Sequence, residues 1–330
     1  MLFEAGNSIG HSGLDTGAVL ETCSAFRPTR NWRTPQRTSS IVAAVGSRAS
    51  YAVIEDGRVE LFSSRWGGMS IVANMLAGPD AATAMIRPPV ARTPPPDDDL
   101  PARLLWNGPD PATDLLDDVF CEGAALIDHD RRVLLAFQWM DDQPTFAAAI
   151  ADLAAAWPGW QVRWAFDGIG DLAAYLGQDR STVRSESEKD TYDLESFYSP
   201  AQRGEFHLDD DEEWDLFRCV LSVRHDDGSL HLYASGTRID DMALPAPAAF
   251  DGLPSGFATL HCADIPRSGI HVDFRSRTAG VWTIDALEGY LDDAESTWPG
   301  WRWTLWGGDI HRHLAACDGR LTVPDPPDPV

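Results

Sequence analysis

A chain of 330 residues with 44% hydrophobic residues and 13 tryptophans holds enough apolar material for two packed cores, which excludes disorder of the whole. The formal net charge of −25 excludes nonspecific attraction to nucleic acid or an anionic membrane, because phosphate contact needs clustered Lys and Arg. No run approaches the roughly 18 apolar residues of a membrane span.

The acidity points toward a basic partner protein, or toward a solvated surface with no partner at all. Lys189 is the one lysine beside 25 arginines, a bias that suggests a GC-rich genome or salt adaptation and says nothing about fold. Cys23, Cys121, Cys219, Cys262 and Cys317 are widely spaced and contain no CxxC pair. That spacing suits neither a disulfide framework nor a zinc ribbon, so the thiols read as buried and reduced and the protein as cytoplasmic.

Residues 1–44 carry Arg27, Arg30, Arg33 and Arg37 against Glu4, Asp15 and Glu21, and lack apolar periodicity. They read as a disordered leader or a mis-called start, with Val45 as an alternative initiation point. A first α+β repeat is expected over 45–180. It opens on a hairpin from Tyr51 to Phe62 that turns at Asp56-Gly57. Arg65, Gly67 and Gly68 follow, ahead of a helical stretch, and could cradle an anion, although no P-loop frame surrounds them. Residues 87–111, with Pro88-Pro89, Pro94-Pro95-Pro96 and Asp97-Asp98-Asp99, read as a Pro-rich insert. Two further strands are expected at Ala124–Ile127 and Val133–Phe137.

Phe146, Ile150, Leu153 and Trp157 form the stripe of an amphipathic helix that stops at Trp157-Pro158-Gly159-Trp160. Proline cannot continue the helix, glycine accepts positive φ, and the chain reverses. An alternating strand (Trp160, Val162, Trp164) and a second helix capped by Asp167 come next. The same order recurs 141 residues later, at Leu287, Leu291 and Ala294, then Trp298-Pro299-Gly300-Trp301, then Trp303 and Leu305, then Asp309. Residues 181–206 read as a polar linker and 207–323 as a second repeat. That repeat opens on a hairpin at Ser222–Tyr233, with further strands at Phe257–Leu260 and Ile270–Phe274 joined by a turn at Pro266–Gly269. The Pro/Asp-rich tail 324–330 is expected to be disordered. The predicted fold is α+β: a tandem duplication of a ββ-ββ-α-β-α unit, with mostly antiparallel sheets and helices on one face.

Seven of the nine histidines lie between His207 and His313. His261, Cys262, His271, Asp273, His313 and Cys317 form a candidate zinc set, since zinc takes His, Cys and carboxylate ligands. No HExxH or paired CxxC anchors it. His311 and His313 diverge by about 200° on a helix and cannot share an ion, whereas His313 and Cys317, four apart, can. Cys262 with His271 is a conceivable nucleophile and base. Asp209-Asp210-Asp211-Glu212-Glu213 lacks the Ca²⁺-loop glycine and reads as a helix N-terminus. The functional expectation is a non-enzymatic acidic binding protein with no cofactor, sequestering a basic partner in the manner of immunity-type proteins. The alternative is a metal-dependent hydrolase with zinc in the second repeat.

Overall fold

The computed structural model describes residues 22–23, 27–28, 47–87, 108–184, 206–207, 219–235, 239, 246–262 and 264–328. Most of the expected leader, Pro-rich insert and polar linker, the acidic run 209–213 and the last two residues of the tail lie outside these.

The first six-stranded sheet is built from β1 (Ala49–Glu55), β2 (Arg58–Ser64), β3 (Asp110–Ala112), β4 (Gly123–Asp128), β5 (Val133–Gln138) and β6 (Gln161–Trp164), in the order β3-β2-β1-β4-β5-β6. Helices α1 (Ile71–Met75), α2 (Pro79–Ile86), α3 (Gln143–Ala156) and α4 (Ile169–Tyr175) accompany it. The second sheet is formed by β7 (Cys219–Arg224), β8 (Leu230–Ser235), β10 (Ser268–Asp273), β11 (Thr278–Thr283) and β12 (Arg302–Leu305), in the order β8-β7-β10-β11-β12, with α5 (Tyr290–Thr297) and α6 (Ile310–Ala316). β9 (Leu260–Cys262) and β13 (Leu321–Thr322) pair in parallel and, with Thr22–Cys23, make a separate three-stranded sheet.

The fold class is mixed α+β, and both sheets are mixed: three of five strand pairs are antiparallel in the first and two of four in the second. β1 pairs parallel to β4 and β5 parallel to β6, as β7 does to β10 and β11 to β12. Each hairpin is antiparallel within itself, while the crossover after the first hairpin returns the chain beside its first strand. The expected pairing of Phe257–Leu260 with Ile270–Phe274 is corrected, because β10 pairs with β11. Their turn lies at Asp273–Thr278, where the Asp273 carboxylate accepts from Ser276 N at 3.2 Å and Arg277 stands at φ +50°. Asp128 accepts from Arg131 N at 2.8 Å and Arg132 stands at φ +55° in the matching turn of the first sheet.

Helices do not share one face of the second sheet. Leu221, Val223, Ile270 and Val281 pack with Tyr290 and Trp298 at the two ends of α5, while Val220 packs on the other side with Cys317 and Leu314 of the α6 segment. Strand alternation sends neighbouring side chains to opposite faces, and both faces of this sheet are apolar enough to need a cover.

The two Pro-Gly corners have one geometry. Trp157 and Trp298 end their helices at φ −119°, ψ 59° and φ −116°, ψ 63°. Gly159 and Gly300 take φ +78° and +81°. Trp160 N and Trp301 N donate back to Trp157 O and Trp298 O at 3.1 Å each, and the paired rings meet edge-on at 4.9 and 4.6 Å. Asp309 caps α6 through His311 N as expected, whereas Gly168, not Asp167, is the N-cap of α4. The Asp167 carboxylate instead takes Arg180 Nε at 2.7 Å and Gly289 N at 2.5 Å. In the tail, the Pro327 carbonyl lies 2.9 Å from His311 Nε2, so this end of the chain is held against α6.

The sheets meet through reciprocal loops. Leu287 N donates to Phe166 O at 2.7 Å, and Gln143 Nε2 donates to Gly308 O at 2.5 Å. The Arg267 guanidinium reaches both its neighbour Asp285 and, across the seam, the Met140 carbonyl.

Candidate functional site

Ser222 on β7 and His271 on β10 are register partners, so their side chains stand together on the face that α6 covers. His313 and Cys317, four apart, project from the α6 segment onto the same spot. His271 Nδ1 and His313 Nε2 each lie 2.7 Å from Ser222 Oγ, and the Cys317 thiol also shares a hydrogen bond with this hydroxyl. The ligand-type atoms of His271, His313 and Cys317 lie within 4.8 Å of one another. His313 and Cys317 are fully buried and His271 is 7% exposed.

Glycines make the room. A Cβ on Gly269 would run into the His313 ring and the Trp282 indole, and one on Gly280 into the Trp306 ring, which stacks beside His271 at 6.5 Å. At the open end Arg224 donates to the Ala316 carbonyl and to Asp318, both at 2.8 Å, placing a cation at the C-terminus of α6.

Trp282 Nε1–H donates to His313 Nδ1 at 3.0 Å. Indole nitrogen is only a donor, so Nδ1 is unprotonated and the neutral ring carries its proton on Nε2. That N–H donates to Ser222 Oγ. A hydroxyl offers one proton and two lone pairs, and Ser222 has three partners here. It accepts from His313, and its own single proton serves either His271 Nδ1 or the Cys317 sulfur. Burial, the dominant cause, pushes His313 down to about 3 and His271 down to about 4, and raises Cys317 to about 11. The cluster is therefore neutral at pH 7.

The zinc set comes together in part. Three of its six members converge. His261 is exposed on β9 with Nδ1 2.6 Å from Thr322 Oγ1, Cys262 is buried on that strand in the small sheet, and the Asp273 carboxylate serves its own turn. A neutral histidine ligates through the nitrogen that lacks a proton. For His313 that nitrogen is Nδ1, which Trp282 already covers. Of the Cys262/His271 pair, His271 lies on β10 with its Nδ1 toward Ser222, and Cys262 lies on β9 of the small sheet. Cys121 and Cys219 are buried and raised to about 12, so neither supplies a thiolate.

Of the Arg65, Gly67, Gly68 anion cradle, the Gly68 amide and that of the next residue are already engaged. Gly68 N donates to Ser47 O at 2.9 Å and Met69 N to Ser47 Oγ at 2.9 Å, so these donors are spent within the fold. The glycines are there for close packing, because a Cβ on Gly67 would strike Tyr51 and one on Gly68 the Arg48 carbonyl.

Sequence reasoning missed Ser222 and Trp282. The one signal available for Ser222 was a small polar residue at an inward position of an otherwise apolar strand. At the same register positions in the first sheet stand Ala52, paired with Leu126, and Phe137 takes the place of Trp282. Comparison with protein-family models, curated proteins and solved structures finds no match. No helix among the described residues is long and apolar enough to cross a membrane.

Proposed function

We propose that the chain is a tandem duplication of one α+β unit, divided near 45–180 and 207–323, and that it acts as a non-catalytic binding protein for a basic partner. Matching strand order in the two sheets, matching corners at Trp157 and Trp298, and reciprocal loop contacts across the seam support the duplication. The function rests chiefly on the closed hub at Ser222. Where the chain brings His, Cys and Ser side chains together, each is buried, neutral and bonded to the others, which suits a core and not a turnover site. Facing solvent are carboxylates, among them Asp80, Asp114, Asp141, Asp152, Asp226 and Asp292, in a chain of net charge −25. Such a field speeds encounter with a cationic protein and repels nucleic acid.

Calorimetric titration against a folded protein of high isoelectric point, with poly-arginine as a nonspecific control, tests this. Saturation at a fixed stoichiometry that survives about 150 mM salt supports the proposal, since screening at that strength removes diffuse attraction. Heat that vanishes at that salt with both probes overturns it.

The second reading, a zinc-dependent hydrolase, is favoured by the spacing of His271, His313 and Cys317 within 4.8 Å. Stoichiometric zinc in the purified protein, lost on H313L substitution, would establish it over the first.

A further inference from the structure

Two sheets that share one order over five strands, with β3 as an added edge of the first, create an ambiguity for folding. α4 and α6 each span seven residues and each follows its edge strand by the same interval. Ala165 N donates to Ala136 O at 2.8 Å just before α4, and Trp306 N to Val281 O at 2.7 Å just before α6. Tyr175 of α4 donates to Asp128, which shares a strand face with Leu126, while His313 of α6 meets Ser222 and His271. Backbone geometry alone does not tell either helix which sheet is its own.

The side chains do. Ser222, His271, His313 and Cys317 stand where the first sheet and α4 carry Ala52, Leu126, Leu172 and Leu176, all four apolar. Shape is inverted too: Gly280 lies beneath Trp306 in the second sheet, and Leu135 occupies the position of Gly280 in the first, with Ala165 in that of Trp306. We infer that the Ser222-centred network is an address that assigns α6 to the second sheet and bars exchange of helices between the two halves, within a chain or between chains.

With α6 on the first sheet, the His313 N–H and the Cys317 thiol would be buried against Ala52 and Leu126, with no hydroxyl to bond. With α4 on the second sheet, Ser222 and His271 would face Leu172 and Leu176. Buried polar groups left unmatched penalise these exchanged states and not the native one. Specificity built this way needs no gain in native stability, and an apolar set of similar volume is often as stable or more so. The inference rests on the duplication reading and is independent of the partner.

The test is the variant S222A/H271L/H313L/C317L, which gives the second half the residues of the first. Isotopically heavy and light chains are mixed, unfolded, refolded together and cross-linked, and heavy–light species joining α6 to β4 are counted by mass spectrometry. A rise of at least about fivefold over wild type is expected, with native circular dichroism regained. A wild-type count overturns the inference. Should this variant fail to regain native circular dichroism, A52S/L126H/L172H/L176C, which writes the same address on both halves, decides the matter by the same count. The duplication reading fails separately, if an experimental structure shows two sheets of different strand order.

Discussion

Trp282 gives its indole proton to Nδ1 of His313, and that one bond decides which nitrogen of the buried ring is protonated. Removing the donor while keeping an aromatic ring, as in Trp282→Phe, should free the tautomer. Long-range proton–nitrogen spectra of the wild type should show His313 wholly as the Nε2–H form, and the variant should show a mixture. The lost hydrogen bond and the buried acceptor left behind should lower stability by about 1–3 kcal/mol. A wild-type spectrum with the proton on Nδ1 would reverse the direction of the whole network.

Ser222 is the centre of that network, and its loss should be felt by three partners at once. Ser222→Ala keeps the strand and removes both the acceptor for His313 and the partner of His271 Nδ1. Denaturant unfolding should register a loss of about 2–4 kcal/mol, more than a single neutral hydrogen bond accounts for. In a double-mutant cycle with His271→Leu, the second change should cost much less than it does alone, because the groups act as a unit. Additive costs would mean that the hydroxyl and the ring are not coupled.

Much of the fold was legible, and the reason is local chemistry. Asp56-Gly57 announces its hairpin because both residues take positive φ, and Pro158-Gly159 and Pro299-Gly300 announce corners because proline cannot continue a helix beyond its first turn. The parallel pairing of β1 with β4 was not legible, since the crossover that sets it is long-range and leaves no mark on either strand. The same holds for the turn at Asp273–Thr278. Pro266-Arg267-Ser268-Gly269 has a stronger turn composition than Arg275–Arg277, yet the register of β10 against β11 fixes the latter. At the candidate site, the i, i+4 spacing of His313 and Cys317 carried the helix half. Ser222 and Trp282 belong to strands far apart in sequence, and only the sheet brings them to His313.

Acid should loosen the second half through its histidines. His313 moves from an ordinary 6.5 to about 3 on folding and His271 to about 4, chiefly through burial. Between those folded values and 6.5 the unfolded chain binds more protons, so stability is full above about pH 6.5 and declines as the pH falls. Asp171, raised by burial to about 6, works in the opposite sense between about pH 4 and 6, and Asp167 shares that sign. These acids cancel when wild type is compared with His313→Leu. The stability difference between the two should therefore shrink by up to about 1.4 kcal/mol per pH unit as the pH drops from 6.5 toward 4. A difference independent of pH would mean that His313 is not held neutral.

Three glycines separate backbone strain from steric room. Gly159 and Gly300 stand at φ +78° and +81° with nothing within 4 Å of an added Cβ, so alanine meets only an unfavourable backbone conformation. Gly159→Ala and Gly300→Ala should each cost about 1 kcal/mol and agree within about 0.5, because the two corners share one geometry. Gly269 needs no positive φ, but its Cβ would enter the space of the His313 ring and the Trp282 indole nitrogen. Gly269→Ala should cost about 3 kcal/mol, by overpacking and by pushing apart the donor and acceptor that fix the tautomer. Thermal unfolding of the three variants distinguishes the cases. A Gly269→Ala loss no larger than that at the corners would mean that α6 yields easily and the network beneath it is slack.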